Sequence, residues 1–156
     1  MRNSGSTVLW PPLPWGWRPA QMQQDTDYRD LLGEILAWLR QGLERAAVAG
    51  IASDKLAIDP GIGFGKSGEA NLEILRRLPE LHSLGHPILL GTSRKNFIGR
   101  VIAQPDPQQR LYGTLATVAL GVAAGAQLFR VHEVRPAREA ALMAWAVRQG
   151  AFPSLD

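Results

Sequence analysis

Apolar residues recur at steps of three and four between residues 25 and 50, which is the spacing of an amphipathic helix. The stripe consists of Tyr28, Leu31, Leu32, Ile35, Leu39 and Leu43. Asp25 or Thr26 is the expected N-cap of this helix, and Gly50 is its expected end. Three more helices are predicted: residues 71–84 with a break at Pro79 and an end at Gly85, residues 114–124 before Gly125, and a last helix that Pro136 opens and Gly150 ends.

Short apolar runs between these helices predict strands at residues 55–58, 87–90 and 127–131. Helices and strands that alternate in this way form a parallel sheet covered by helices. We therefore expect an α/β fold with about three parallel strands and four helices. Ligands of such folds bind at the edge where the strands end, so the residues that follow each strand are the candidates for function.

Residues 1–19 have a different character from the rest of the chain. They contain three of the five tryptophans and four of the eleven prolines, with no period of two or of 3.6 residues. We interpret them as an atypical lead-in, separate from a domain that occupies residues 20–156. Pro11, Pro12 and Pro14 interrupt any apolar run there, so no export signal is predicted.

Composition and charge narrow the classes of function. The 156 residues suit one domain, and the absence of cysteine excludes disulfides, a thiolate nucleophile and cysteine-ligated metals. A net charge of +3 is too small to indicate nucleic-acid binding, and an anionic small molecule fits it equally well. The longest uncharged run, residues 111–129, takes eight of its nineteen residues from Ala and Gly, so we expect no membrane span. His82 and His86 are separated by the helix-ending Gly85, and no metal-ligand set is predicted.

The glycine-rich segment 59–67 follows the first predicted strand. A phosphate-binding loop of the G-x-x-x-x-G-K-S type would require glycine at Pro60, and a dinucleotide fingerprint would require glycine at Lys66. A tight structural turn is the alternative that composition alone favours. Asp59 adds chemistry, because a carboxylate at a strand end can accept two parallel hydrogen bonds from a heterocycle with a guanidine-like edge.

Cationic residues follow the other two predicted strands. Ser93 and Lys95 suit an anionic or carbonyl-bearing ligand, although a solvated basic loop is the alternative. Strand alternation places Arg130 and His132 on one face and Val131 on the other, which suits a phosphate or pyrophosphate. An arginine paired with a neighbouring carboxylate, beside a structural histidine, is the competing interpretation of that pair.

Three segments taken together, residues 59–66, 91–99 and 130–134, resemble the carboxyl-terminal half of dihydropteroate synthase in order and spacing. The resemblance covers roughly residues 20–150. It implies a partial (β/α)₈ TIM barrel and a cytoplasmic transferase of folate biosynthesis. Such an enzyme joins 6-hydroxymethyl-7,8-dihydropterin diphosphate to 4-aminobenzoate and releases pyrophosphate. The implied cofactor is Mg²⁺, held mainly through the substrate diphosphate, and the implied assembly is a homo-oligomer.

The resemblance also implies roles for individual residues. The pterin is expected at Asp59 and Lys95, the aminobenzoate at Phe64 and Ser93, and the diphosphate at Arg130 and His132. The expected catalytic residues are Lys95, Arg130 and His132, and no covalent nucleophile is required.

The sequence also departs from the family. A complete barrel has eight strands, the family's amino-terminal motifs are not found, and Glu133 replaces the usual aspartate. We therefore expect a truncated synthase that works slowly or not at all alone. The alternative is a non-catalytic fragment that retains pterin or pyrophosphate binding, or only an oligomerisation surface. A pterin domain of methyl-transferring enzymes is a third class. The segment Ser93-Arg94-Lys95 and the pair Arg130 and His132 argue against it, because a methyl carrier has no diphosphate to lose.

Overall fold

The computed structural model of the protein describes residues 7–9 and 30–154. Within them the strands are β1 (Thr7–Leu9), β2 (Leu56–Ile58), β3 (Leu89–Leu90) and β4 (Leu128–Phe129). β1 pairs with β2 and β3 pairs with β4, both in parallel, and a parallel bridge between Ile58 and Ile88 joins the two pairs. The order of the strands in space therefore follows their order in the chain, as it does in a (β/α) barrel.

Helices cover these strands in the order that the sequence predicts. The α-helices are α1 (Leu31–Val48), α2 (Gly68–Arg76), α3 (Asn96–Val101), α4 (Leu111–Ala123) and α5 (Val134–Gln149). Shorter 3₁₀ helices occupy Ser53–Lys55, Leu78–Leu84 and Pro107–Gln109. The predicted α/β fold with alternating helices and parallel strands is confirmed.

Two elements were not predicted, so the described residues contain four strands and five α-helices rather than three and four. β1 lies within residues 1–19 and has only three residues, too few to establish a period of two. It becomes a strand because β2 supplies its hydrogen bonds. The six residues of α3 are likewise too few to establish a helical period.

The first helix begins later than the sequence predicts. Its N-cap is Asp30, whose carboxylate accepts a hydrogen bond from the Gly33 amide at 3.1 Å, so the helix starts at Leu31. Asp25, Thr26 and Tyr28 lie outside the described residues. The predicted helix at 71–84 instead begins at Gly68 under a Ser67 cap, ends at Arg76 and continues as the 3₁₀ helix that contains Pro79. Its predicted end at Gly85 is confirmed by the left-handed backbone there.

The last elements are also displaced by a few residues. β4 ends at Phe129, so Arg130 and His132 lie beyond the strand and the alternation argument does not apply to them. α5 starts two residues before Pro136 and ends, as predicted, at Gly150. In the part of the chain that the structure describes, no helix is long and apolar enough to cross a membrane.

One apolar core joins α1 to the sheet and to the 3₁₀ helix that follows α2. Its fully buried members include Leu32 and Leu39 from α1, Ile58 and Leu90 from the strands, and Ile74, Leu78 and Leu81 from the α2 region. Burying a side chain of this size contributes roughly 1.5–3 kcal/mol. The packing fixes the strands against the helices, and the loops after β2, β3 and β4 thereby emerge at one edge of the sheet.

Candidate functional site

The candidate site is built on the loops that follow β2, β3 and β4. Asp59 comes directly after β2, and its backbone amide donates to the Leu9 carbonyl of β1 at 2.7 Å. The carboxyl group is almost fully buried, since Asp59 is only 2% exposed. A strand that the sequence does not predict therefore sets the position of the carboxylate that the sequence singles out.

The Asp59 carboxylate lies among hydrogen-bond donors and cations. One oxygen accepts from the Gly61 amide at 2.8 Å, and the other lies 3.8 Å from an Arg130 guanidinium nitrogen. Burial raises the pKa of Asp59, and the Gly61 amide, Arg130, Lys95 and Lys66 oppose this shift. Half of the Arg130 side chain is exposed, so the guanidinium has donors left for a ligand.

Lys95 and Phe64 meet across the loops after β2 and β3. The Lys95 ammonium lies 3.9 Å from the centre of the Phe64 ring, a cation–π contact. Gly63 makes this approach possible, because a Cβ atom there would lie 2.8 Å from Lys95 Cδ. Burial lowers the pKa of Lys95, Arg130 lowers it further, and Asp59 opposes the shift.

Ser93 and His132 form a third contact between predicted site residues, although the sequence assigns them to different ligands. The Ser93 hydroxyl lies 2.8 Å from His132 Nδ1 and also accepts a hydrogen bond from the His132 amide at 3.2 Å. The loops after β3 and β4 are thus tied together at the site. Three contacts therefore join the predicted site residues: Asp59 with Arg130, Phe64 with Lys95, and Ser93 with His132. The functional roles assigned to these residues stay predictions.

Glu133 forms a second side-chain link between the loops after β3 and β4. Its carboxylate accepts from Arg94 Nε at 2.9 Å and also contacts the Arg94 Nη2 atom. This pair lowers the pKa of Glu133, chiefly through the Arg94 hydrogen bond. Glu133, where the sequence departs from the family that it resembles, therefore pairs with a loop arginine.

Two residues to which the sequence pattern assigns no role, Lys66 and Asn71, hold the glycine-rich loop. The Lys66 ammonium donates to the carbonyls of Gly61 and Phe64, both at 3.0 Å. Asn71 accepts from the Gly63 amide at 2.6 Å and donates to the Ser67 carbonyl at 2.7 Å. Burial lowers the pKa of Lys66 to about 8. A lysine inside a glycine-rich turn was visible in the sequence, but its inward direction depends on the fold.

A cavity of about 270 Å³ adjoins this loop at the starts of α2 and α3. It is lined by Gly63, Lys66, Ser67, Gly68, Asn71, Lys95, Asn96, Phe97 and Arg100. Three of these side chains are cations and none is an acid, so the cavity suits an anionic group. Lys95 lines it, whereas Phe64 and Ser93 do not.

The described residues do not form a set of ligands for a divalent metal. Asp59 faces Arg130, Glu133 faces Arg94, and no group of three His, Cys, Asp or Glu side chains gathers among them. A magnesium ion prefers several free oxygen ligands, so these residues do not fit a site held by the protein itself.

The fold and the site define a class of protein. Parallel strands in barrel order carry a buried carboxylate, two lysines and an arginine where they end, and the sequence profile described as "Pterin binding enzyme" matches residues 13–132. The chain belongs to this family. The match begins seven residues before the expected residue 20 and ends at His132, short of the expected residue 150.

The relatives narrow the class to dihydropteroate synthases, which confirms the resemblance seen in the sequence. The enzyme of that name from Synechocystis sp. is 47% identical over 116 residues, or 74% of this chain and 40% of that protein. The Bacillus subtilis enzyme is 43% identical over 120 residues, or 76% of this chain and 42% of that protein.

Solved structures agree in fold. Dihydropteroate synthase from Thermus thermophilus superposes with a TM-score of 0.81 at 42% identity, both in complex with 6HMPPP and in complex with 4-aminobenzoate. In the 6HMPPP complex the match covers 90% of this chain and 54% of that one. The chain therefore spans about half the length of the relatives it matches.

Proposed function

We propose that this chain carries the pterin- and diphosphate-binding part of a dihydropteroate synthase. The reaction would join 6-hydroxymethyl-7,8-dihydropterin diphosphate to 4-aminobenzoate. The observation that carries the proposal is the contact between a buried Asp59 and a half-exposed Arg130 at the strand ends of a pterin-binding fold. Such a pair can hold a polar heterocycle and an anionic leaving group side by side.

Asp59 and Lys95 would hold the pterin. A buried carboxylate can accept hydrogen bonds from the amino and ring N–H groups of the pterin, and its desolvation strengthens them. Lys95 would face a pterin carbonyl or ring nitrogen, with its ammonium group held over the Phe64 ring. The complex of the Thermus relative with 6HMPPP supports this choice of ligand.

Arg130 and His132 would bind the diphosphate. In the reaction the bond between the pterinylmethyl carbon and the diphosphate oxygen breaks, and a bond to the arylamine nitrogen forms while that nitrogen loses a proton. Negative charge grows on the departing diphosphate, so cations placed there stabilise the transition state more than the ground state. Lys95, Arg130 and His132 would therefore be the catalytic residues.

The 4-aminobenzoate would lie near Phe64 and Ser93, with its carboxylate directed toward the cationic cavity. The complex of the Thermus relative with 4-aminobenzoate supports this substrate. Magnesium would be held by diphosphate oxygens, since the described side chains do not gather a set of ligands for it. The cytoplasmic location that the resemblance implies stays a prediction.

We propose self-association through the face shared by α4 and α5. The two helices pack along each other, and an apolar groove between them is lined by side chains that include Leu120, Met143 and Val147. These three side chains are 65%, 66% and 70% exposed, which is unusual for adjacent large apolar residues. A homo-oligomer would cover them.

Product formation tests the proposed reaction directly. Dihydropteroate is measured for this chain alone and for the chain mixed with a separately expressed amino-terminal half of a complete relative. We expect the mixture to exceed the chain alone by orders of magnitude. The chain spans only about half of a relative, and misplacing reacting groups by about 1 Å can already lower the reaction rate on the order of 100-fold. Turnover by the chain alone at ~1 s⁻¹ or above would contradict this expectation.

The second candidate function is binding without turnover, and the partial coverage of the relatives favours it. Pyrophosphate with Mg²⁺ should then raise the melting temperature of the chain through ligand linkage. Arg130→Ala should remove most of this protection, whereas Arg135→Ala, at an exposed position on α5, should leave it intact. Equal protection of the wild type and Arg130→Ala would count against the diphosphate site.

A further inference from the structure

One face of α4 carries a buried polar stripe, defined here as Arg110, Thr114 and Thr117. Arg110 directly precedes the helix, and the three residues follow one another at steps of four and three, so they share a helix face. All three are buried, although the rest of the helix is rich in Ala, Leu, Val and Gly. Burying a polar group costs free energy unless the group has a hydrogen-bond partner, so the partners of the stripe indicate its structural role.

Every member of the stripe contacts the loop after β3. An Arg110 guanidinium nitrogen donates to the Arg94 carbonyl at 2.9 Å, and the Arg94 amide donates to the Thr114 hydroxyl at 3.1 Å. The Thr117 hydroxyl donates to the Thr114 carbonyl at 2.7 Å and lies 2.8 Å from the Thr92 hydroxyl, which must then be the donor. Both backbone groups of Arg94 are therefore fixed by the stripe.

Arg110 is the member of the stripe whose burial costs the most free energy, because its side chain is charged. It is only 5% exposed, and its guanidinium also donates to the Gln104 carbonyl at 3.0 Å and the Pro105 carbonyl at 2.5 Å. Among the described residues it takes part in no ion pair. A guanidinium buried against carbonyl groups alone is held in one geometry by its fork of donors.

The conformation that the stripe holds is a strained one. Arg94 has φ 59°, in the left-handed region that non-glycine residues rarely occupy and that costs on the order of 1 kcal/mol. Ser93 and Lys95 flank this residue, and the first contacts His132 while the second lies over Phe64. The turn at Arg94 sets the direction of the chain between the two, and hence the distance between these contacts.

We propose that the polar stripe, and Arg110 above all, positions Ser93 and Lys95 by fixing the left-handed turn at Arg94. The stripe is a positioning element, because its side chains bond to the loop backbone and to Thr92. The inference rests on the proposed function only for its consequence: a displaced Lys95 and His132 bind pterin and diphosphate less well. The geometry itself can be tested without any ligand.

The test is nuclear magnetic resonance of the full chain without ligand. The ring current of Phe64 should displace the Lys95 methylene protons next to the ammonium upfield, and the His132 ring nitrogen shifts should report its bond to Ser93. Arg110→Gln and Thr114→Val should both lose most of the upfield displacement and change the His132 shifts. Thr114→Ser, which keeps the hydroxyl, should retain the wild-type values.

Two control variants separate positioning from general destabilisation. Ile35→Val removes one buried methyl group from α1 and should lower the melting temperature without moving the Lys95 or His132 signals. Arg135→Gln removes an exposed arginine and should change neither. Arg110→Gln should also weaken pyrophosphate binding about tenfold relative to the wild type, a loss of the size expected for misplaced ligand contacts.

Folded Arg110→Gln and Thr114→Val with unchanged Lys95 and His132 signals would overturn the proposal. So would a Thr114→Ser variant that loses as much as Thr114→Val, because the hydroxyl would then be irrelevant. If Arg110→Gln does not fold, the comparison of Thr114→Val with Thr114→Ser decides the matter. A wild type that binds no pyrophosphate would contradict the proposed function, while the ligand-free signals would still decide this inference.

Discussion

At the scale of single residues, Lys66 makes the stability of the folded chain depend on pH. Its pKa is lowered to about 8 from the ordinary 10.5 by burial, so the unfolded chain binds more protons than the folded chain between these two values. The contribution of Lys66 to stability is therefore present above pH 10.5 and is lost as the pH falls through 8.

Lys66→Met removes this titration. Relative to the variant, the wild type should gain about 2 kcal/mol of unfolding free energy between about pH 7.5 and about pH 9.5, since each unit of pKa shift corresponds to about 1.4 kcal/mol. Urea unfolding of both proteins at several pH values measures the difference. A gap between wild type and variant that stays constant over this range would show that Lys66 titrates normally.

Gly63 is a second residue on which the site depends. Its φ of 81° is left-handed, and an added Cβ would collide with Lys95, so Gly63→Ala should both strain the backbone and push the ammonium off the Phe64 ring. Gly50→Ala is the matched control, because Gly50 has φ 76° and open space around it. Both variants should lose roughly 1 kcal/mol of stability, and only Gly63→Ala should weaken dihydropterin binding. Equal binding by the two variants would contradict the contact of Lys95 with this loop.

At the scale of elements, the capping of α1 accounts for its late start. Asp30→Ala removes the acceptor of the Gly33 amide and should cost about 1 kcal/mol, or a fall of about 2–4 °C in melting temperature. Asp54→Ala, at an exposed position, should change the melting temperature by much less. A fall of the same size in both variants would show that Asp30 does not cap the helix.

The elements also show which parts of the fold the sequence alone predicts. The stripe of α1, the turn at Gly85 and the end at Gly150 follow from local rules that involve neighbours in the chain. β1 and α3 are too short for any period, and pairing or packing with distant segments forms them. Local patterns therefore predicted the order of the elements, whereas elements of three to six residues required the fold.

In the site, too, local sequence patterns predict some residues, whereas others depend on contacts between distant segments. Asp59, Lys95 and Arg130 are recognisable because they follow apolar strands, where ligands of parallel sheets bind. The role of Arg110 was not predicted, because its partners are carbonyl groups of Arg94, Gln104 and Pro105. The sequence contains one signal of this role: a charged residue opens an apolar run and is followed by threonines four and seven positions later.

At the scale of the whole molecule, the exposed face of α4 and α5 predicts association. Leu120→Glu places a charge in the groove and should turn an associated chain into a monomer in sedimentation velocity experiments at micromolar concentration. Val48→Glu is the control, since Val48 is also apolar and is more exposed than Leu120, but lies on α1. Association that survives Leu120→Glu, or a monomeric wild type, would contradict the proposed interface.

The central claim is that the three loops assemble a pterin diphosphate site around Asp59 and Arg130. Calorimetric titration of 6-hydroxymethyl-7,8-dihydropterin diphosphate into the wild type, Asp59→Ala and Asp54→Ala tests it most directly. We predict measurable binding by the wild type and Asp54→Ala, and a loss of about 2 kcal/mol, near thirtyfold in Kd, for Asp59→Ala. A wild type that gives no binding heat, or an Asp59→Ala variant that binds within about twofold of it, would contradict the account.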